Sequence, residues 1–350
     1  MHMADALISP AVGGALWTAT AGLTAWSAKK LNEDFDDRKV PLMGALGAFV
    51  FAAQMINFTI PATGSSGHLG GGMALAVLLG PYAAFLTMAS ILTIQSLFFA
   101  DGGLLALGCN IFNLGFFPCF IAYPLIYKKI AGENPSAGKI FAGATLASLA
   151  GLQLGAFGVV VETVASGISD LPFSTFLLLM QPIHGAIGIV EGLVTAAVIT
   201  FVWKARPEVL LLAEKSSAEG FSIKAVFVGL IAAAVITGGI FSWFASVHPD
   251  GLEWALFHAS GKEEFRNPEE SAHSLLAGIQ EKTAVMPDYG FKNSRTVQED
   301  ATASEEQWPA VSIGTSTAGI VGGGLTLFFA GLVGFLLRLI GRSRQASPGR

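Results

Sequence analysis

The sequence predicts an all-α protein, a polytopic membrane helical bundle, and its composition is the first reason. Only 13% of the 350 residues are charged and 52% are hydrophobic, whereas a soluble domain carries about 25% charged residues. The second reason is the length of the apolar runs, because about twenty apolar residues span the hydrocarbon core of a bilayer. The third is the 42 glycines, since small residues let helices approach closely in lipid.

Hydropathy divides the chain into nine apolar segments, each a predicted span. They lie at about 7–28, 40–57, 69–80, 82–100, 104–127, 139–164, 173–203, 224–247 and 313–337. The third is short for a crossing and ends at Gly80 and Pro81, which break a helix. Joining it to the fourth would leave eight spans, one of them too long for a single crossing.

The positions of the basic residues favour nine crossings with the N-terminus outside and the C-terminus inside. In that arrangement the basic residues of the short loops and the C-terminal tail are cytoplasmic. With eight crossings, Lys128 and Lys129 would lie outside. Met1 and His2 are therefore expected on the extracytoplasmic side.

Polar residues at 206–223 separate two parts of the chain. We expect a seven-helix domain at 1–205, a cytoplasmic linker at 206–223, and a second domain at 224–350. In the second domain two spans bracket an external loop, 248–312, with twelve acidic and five basic residues. Its acidity predicts either a surface that concentrates cations or an ordinary solvated loop.

The first two residues are a candidate metal chelator. The α-amine of Met1 and the amide nitrogen and Nδ1 of His2 can close two fused chelate rings around one ion. Three nitrogens in a near-planar array suit Ni²⁺, Cu²⁺ or Co²⁺. The alternative is a frayed terminus in which Met-His has arisen by chance.

His68 is a candidate fourth ligand. It lies in "NFTIPATGSSGHLGGG", a loop expected on the same external side, where the glycines allow another segment to approach closely. The alternative is a loop or helix-capping histidine.

Polar residues within or at the ends of spans are further candidates, because polar groups are costly in lipid. They are Gln54, Asn57, Asn110, Asn113, His184 and Glu191. His184 and Glu191 lie seven residues apart on one face of the seventh span. They predict either a second metal site or a hydrogen-bonded pair that fixes helix packing.

Several motifs are absent from the sequence. Without G-x-x-x-x-G-K-[ST], the chain supplies no nucleotide-binding loop of its own, and neither H-E-x-x-H nor G-x-S-x-G occurs. Nothing indicates nucleic-acid binding. Cys109 and Cys119 are expected to be small packing residues.

Three blocks, "MHMAD", "INFTIPATGSSGHLGGGMALAVLLGPYAAF" and "FADGGLLALGCNIFNLG", jointly resemble the CbiM/NikM family. These proteins are the metal-binding membrane subunits of energy-coupling-factor (ECF) ABC transporters for cobalt and nickel. The resemblance covers about residues 1–205. Beyond it, "HPDGLE" and "PDYGF" resemble the PDGLE domain, a NikN-like partner, so the whole chain resembles a NikM–NikN fusion.

The resemblance implies a role and a ligand set. The substrate would be Co²⁺ or Ni²⁺, held by the Met1 amine, the amide nitrogen and imidazole of His2, and His68. The partners would be a transmembrane coupling subunit (EcfT/CbiQ/NikQ-like) and cytoplasmic ATPases (CbiO/NikO-like) in a prokaryotic plasma membrane. Such a subunit is not an enzyme.

Two other classes of function stay open at this point. An intramembrane metalloenzyme would use His184 and Glu191 around a catalytic ion with an open coordination position. A metal sensor would instead use the external acidic loop to bind a partner.

Overall fold

The computed structural model describes residues 2–33, 36–210, 223–262, 265–268, 271–292 and 308–345. They form a helical membrane bundle, as predicted. Its first part contains α1 (Pro10–Glu33), α2 (Lys39–Gln54), α3 (Gly72–Leu79), α4 (Pro81–Phe99), α5 (Leu107–Ala131), α6 (Ala137–Ser166) and α7 (Phe173–Ala205). Its second part contains α8 (Lys224–Gly239), α9 (Gly251–Ser260), α10 (Ser271–Thr283) and α11 (Ile313–Gln345).

Within the described residues, five helices are long and apolar enough to cross a membrane: α4, α5, α6, α7 and residues Ile313–Ile340 of α11. The chain is therefore a multi-pass membrane protein. Helices α2 and α8 are apolar but have only 16 residues each. The predicted span at 224–247 is too long, because α8 ends at Gly239 and a 3₁₀ turn follows at Phe241–Phe244.

The third predicted span, 69–80, is helical over Gly72–Leu79. Helix α3 has eight residues, a length of about 12 Å, which alone cannot cross a core of about 30 Å. The preceding residues, 68–71, are non-helical backbone inside the bundle. The predicted break is confirmed: Gly80 has φ 80° and Pro81 is the first residue of α4, a position that tolerates the missing N–H of proline.

Two features depart from a bundle of simple α-helices. A two-stranded antiparallel hairpin, β1 (Phe58–Ile60) and β2 (Ser65–Gly67), precedes His68 and pairs Phe58 with Gly67. Its strands have three residues each, too few for a sequence pattern to detect. Helix α5 is π-helical over Phe112–Tyr127 and contains two prolines there.

The segment 248–312, which we predicted as an external loop, contains helices. The side chain of Asp250 accepts hydrogen bonds from the backbone N–H groups of Leu252 and Glu253, and Glu253 accepts one in return from the N–H of Asp250. This capping box starts α9. Helix α10 and a 3₁₀ turn at Pro287–Tyr289 follow, whereas 293–307 lies outside the described residues.

Helices α6 and α7 pack closely because two glycines face the partner helix. A Cβ atom at Gly188 would lie 2.9 Å from Leu149 Cα, and one at Gly192 would lie 2.5 Å from Thr145 Cα. Glycines four residues apart permit such backbone contact in membrane proteins. The close approach fixes the position of α7, which carries His184 and Glu191.

We predict that Gly192→Ala destabilises the bundle, because the added methyl group forces two backbones apart. Overpacking of this kind costs about 1–3 kcal/mol. Gly14→Ala in α1 is the matched control, since a Cβ atom there meets nothing within 4 Å. Thermal unfolding in detergent measures both. Equal melting temperatures for the two variants would contradict the predicted close contact.

Candidate metal centre

The imidazoles of His2 and His68 lie face to face inside the protein. Their ring centroids are 5.0 Å apart and the planes differ by 11°. The side chain of His2 is 7% exposed. Burial lowers the pKa of both imidazoles to about 3, so both are neutral at neutral pH. Two neutral imidazoles side by side carry the lone pairs that a transition metal needs.

The ring nitrogens of the two histidines have different surroundings. His68 Nδ1 lies 3.1 Å from the carbonyl oxygen of Leu69, and because a carbonyl only accepts, Nδ1 donates and the lone pair is on Nε2. This is the usual state of a metal-binding histidine. His2 Nδ1, the predicted chelating atom, lies 3.2 Å from Asp101 Oδ1. Among the described residues, His2 Nε2 has no hydrogen-bond partner.

Asn110 holds the chain next to His2. Its Oδ1 accepts a hydrogen bond from the N–H of Met3 at 2.8 Å, and its Nδ2 donates to the carbonyl of Met3 at 3.2 Å. The N–H of Gly103 donates to the same carbonyl at 2.9 Å. Two residues on, Asp5 Oδ1 accepts from the N–H of Ala106 at 3.0 Å. The segment that follows Met1 is thus fixed to α5 and its preceding loop, while Met1 itself lies outside the described residues.

Glu191 holds the loop that follows His68. Its two carboxylate oxygens accept hydrogen bonds from the N–H groups of Gly70 at 2.8 Å and Gly71 at 3.2 Å. Gln54 Nε2 donates to the carbonyl of Gly70 at 2.8 Å, and Gln95 Nε2 donates to Gln54 Oε1 at 2.9 Å. Three helices, α2, α4 and α7, therefore fix this loop.

The remaining predicted residues hydrogen-bond to groups other than the two imidazoles. Asn113 Nδ2 donates to Glu162 Oε2 at 2.7 Å, so Asn110 and Asn113 have unrelated partners. Asn57 accepts at its backbone oxygen from the N–H of Ser246.

His184 Nδ1 lies 2.8 Å from the carbonyl of Met180. His184 and Glu191 thus each bind backbone groups. The two predicted packing residues, Cys109 and Cys119, are free and buried.

Sequence reasoning missed three residues of the site. The hydroxyl of Tyr289 donates to Asp101 Oδ2 at 2.5 Å, and Asp101 in turn contacts His2. Asp250 lines a small cavity together with His68 and His184. Asp101 lies in "FADGG" and Asp250 in "HPDGLE". Both blocks carry the family resemblance, but the resemblance assigned no role to either aspartate. Tyr289 likewise lies in "PDYGF", but its contact with Asp101 depends on tertiary packing.

Within the part of the chain that the structure describes, no group of three or more His, Cys, Asp or Glu side chains could hold a metal ion. A site made of side chains alone is therefore not found there. The predicted donor set differs in kind, because two of its four nitrogens are the amine of Met1 and a backbone amide.

A helical membrane bundle that buries two neutral imidazoles is a candidate metal-binding membrane protein. The comparisons with known proteins agree with this class. A family model described as "Cobalt uptake substrate-specific transmembrane region" matches residues 2–209, and the PDGLE domain model matches residues 224–339. The chain belongs to the CbiM family and carries a PDGLE domain.

Individual relatives are metal transport proteins by name. A putative fused nickel transport protein NikMN of Archaeoglobus fulgidus is 35% identical over 66% of this chain and 74% of its own length. The cobalt transport protein CbiM of Sorangium cellulosum is 28% identical over 60% of this chain and 94% of its own. A crystal structure of a transition metal transporter is 30% identical, with a TM-score of 0.53 over 61% of this chain and 96% of that one.

We predict that Glu191→Gln loosens the loop after His68. The neutral amide of glutamine accepts hydrogen bonds more weakly than a carboxylate, and its NH₂ group would face one of the two backbone N–H groups instead of accepting from it. A lost bond to a charged acceptor costs about 1.5–3 kcal/mol. Hydrogen exchange in peptides that cover residues 68–73 should then become about tenfold faster or more.

Glu162→Gln is the matched control, because Glu162 is also a buried carboxylate but binds Asn113. If the two variants exchange equally in 68–73, Glu191 does not hold the loop.

Proposed function

We propose that the chain is the substrate-binding subunit for uptake of Co²⁺ or Ni²⁺ through an ATP-driven ECF-type ABC transporter. The observation that carries the proposal is the buried, stacked pair of neutral imidazoles of His2 and His68. The names of the relatives, which include both nickel and cobalt transport proteins, support the choice of substrate.

In this proposal four nitrogens hold the ion: the amine of Met1, the amide nitrogen and Nδ1 of His2, and Nε2 of His68. The ion replaces Asp101 as the partner of His2 Nδ1, and the carboxylate stays nearby to offset its charge. Nitrogen donors of this kind suit Ni²⁺ and Co²⁺, and geometry rather than affinity order selects between them.

The energy for uptake comes from other subunits, because the sequence contains no P-loop. We infer a transmembrane coupling subunit and a pair of cytoplasmic ATPases as partners. The metalloenzyme alternative is less well supported, because the Glu191 carboxylate already binds two backbone N–H groups. That carboxylate is therefore not available as a general base beside a catalytic ion.

We further propose that residues 1–205 form the metal-binding domain, 206–223 a cytoplasmic linker, and 224–350 the PDGLE domain. The N-terminus is extracytoplasmic and the C-terminus cytoplasmic. The positions of basic residues support this orientation. The contact of Tyr289 and Asp101 supports one common side for segment 248–312 and the loop near His2.

The orientation predicts which positions react with a membrane-impermeant maleimide. His258→Cys in α9 should be labelled in intact cells, and Lys204→Cys near the end of α7 only after lysis; both residues are exposed. The unmodified chain is the control, because Cys109 and Cys119 are buried. Labelling of both positions from the same side would contradict the orientation.

The ligand set predicts that the α-amine is required. One residue added before Met1 turns the amine into a secondary amide, so tight binding of Ni²⁺ or Co²⁺ should be lost, and His2→Ala should have the same effect. His68→Ala should weaken binding less, by about 10–100-fold, because water can take the fourth position.

Calorimetry on the purified chain measures these affinities, and His258→Ala is the control for loss of an exposed histidine. Hydrogen-exchange profiles should match those of the unmodified chain away from the site. Unchanged affinity in the extended chain would show that the amine is not a ligand.

A further inference from the structure

An apolar groove lies between helices α7 and α8. Its volume is about 560 Å³, and Phe49 of α2 also lines it. Helix α8 packs on α2 and α11, and the groove separates it from the last turns of α7. Phe201 in the wall of the groove is 72% exposed, so the groove opens to the surroundings of the bundle. Its described lining residues include none of those at the metal centre.

The depth of the groove is close to that of one leaflet of a bilayer. On α7 the groove extends from Ala197 to Ala205, and on α8 from Ala225 to Ala233, which is about 12 Å along each helix. Half of a hydrocarbon core of about 30 Å is about 15 Å. Both stretches lie at the end of the bundle where α7 ends and α8 begins. The groove therefore belongs to the leaflet on that side.

Small residues keep the wall of α8 open at its centre. A Cβ atom at Gly229 would meet nothing within 4 Å, and the residues four positions before and after it, Ala225 and Ala233, are also small. An empty space along this wall would cost the lining residues their van der Waals contacts. In a membrane, hydrocarbon chains are available to fill such a space.

Arg206 lies at the polar end of the groove. It is half-buried, and among the described residues that line the groove it alone is charged. No described residue forms an ion pair with its guanidinium, and Glu208, two residues further on, has a carboxylate oxygen without a partner. Lys204 in the last turn of α7 and Lys224 at the start of α8 are exposed at the same end. This end of the groove therefore favours a negatively charged group.

We propose that the groove binds one anionic phospholipid, with its acyl chains between α7 and α8 and its phosphate on Arg206. Basic pockets between membrane helices on the cytoplasmic side bind anionic headgroups, and this end is cytoplasmic in the proposed orientation. A guanidinium can donate two parallel hydrogen bonds to a phosphate. A helix of a partner protein would fill the apolar part of the groove, but a phospholipid also supplies an anion at the depth of Arg206.

The first test measures binding of two lipids to the purified chain. After delipidation in detergent, native mass spectrometry should detect one phosphatidylglycerol per chain, and phosphatidylcholine, which has no net charge, should bind more weakly. Arg206→Gln should weaken phosphatidylglycerol binding by about fivefold, since one basic residue near the headgroup is lost. The salt dependence of phosphatidylglycerol binding should decrease in the same variant. Lys29→Gln is the matched control, because Lys29 is an exposed lysine near the end of α1.

The second test fills the groove. Gly229→Leu adds a side chain where a Cβ atom meets nothing within 4 Å, so the melting temperature of the delipidated chain should not fall. The new side chain takes the place of several methylene groups of the lipid, so both lipids should bind about tenfold more weakly or worse. Gly324→Leu in α11 is the matched control, since that position is exposed and equally open.

Three outcomes would overturn the proposal. The unmodified chain could bind no lipid in a fixed ratio, or Arg206→Gln and Gly229→Leu could bind phosphatidylglycerol as tightly as the unmodified chain, as expected of the general lipid surroundings. Alternatively, Gly229→Leu could leave lipid binding intact and block assembly with the coupling subunit, in which case a protein helix occupies the groove. None of these results bears on the affinity for Ni²⁺ or Co²⁺, which calorimetry measures separately.

Discussion

The loop after His68 is the feature on which the rest of the structure depends. Its backbone is non-helical inside a helical bundle, where water cannot satisfy its polar groups, so the protein must satisfy them internally. Glu191 accepts from the N–H groups of Gly70 and Gly71, and Gln54 donates to the carbonyl of Gly70. The same carboxylate lies at the start of α3, where a negative charge is favourable. These bonds make an irregular loop possible, and the loop places His68 beside His2.

The PDGLE domain contacts the loops that form the site. A parallel bridge joins Ser66 to Asp250. The imidazole of His273 hydrogen-bonds to the carbonyl of Ile8 at 3.0 Å, and Gln280 Nε2 donates to the carbonyl of Gly102 at 2.8 Å. The second domain therefore does more than add two helices: it packs on three separate segments around His2 and His68.

Prediction from sequence succeeded where the signal was local. Helices α6 and α7 are long apolar runs with polar ends, and Gly80-Pro81 marks a break by its own backbone preferences. The hairpin before His68 was missed because three-residue strands leave no periodic pattern. His2 and His68 could be proposed from donor chemistry alone. The partners of Glu191 could not, because contacts between residues 120 positions apart depend on tertiary packing.

The anchoring of the two imidazoles has a mechanical consequence. His2 is adjacent to Met3, which Asn110 of α5 holds by two hydrogen bonds, whereas the loop of His68 is held by Glu191 of α7. The chelate rings proposed at residues 1 and 2 belong to one short piece of chain and move together. Any shift of α5 relative to α7 therefore changes the separation of His2 and His68 while leaving the chelate intact. Both helices extend to the opposite end of the bundle. A movement of α5 relative to α7 at that end therefore changes the distance between His2 and His68, because Asn110 and Glu191 hydrogen-bond to the segments that carry them.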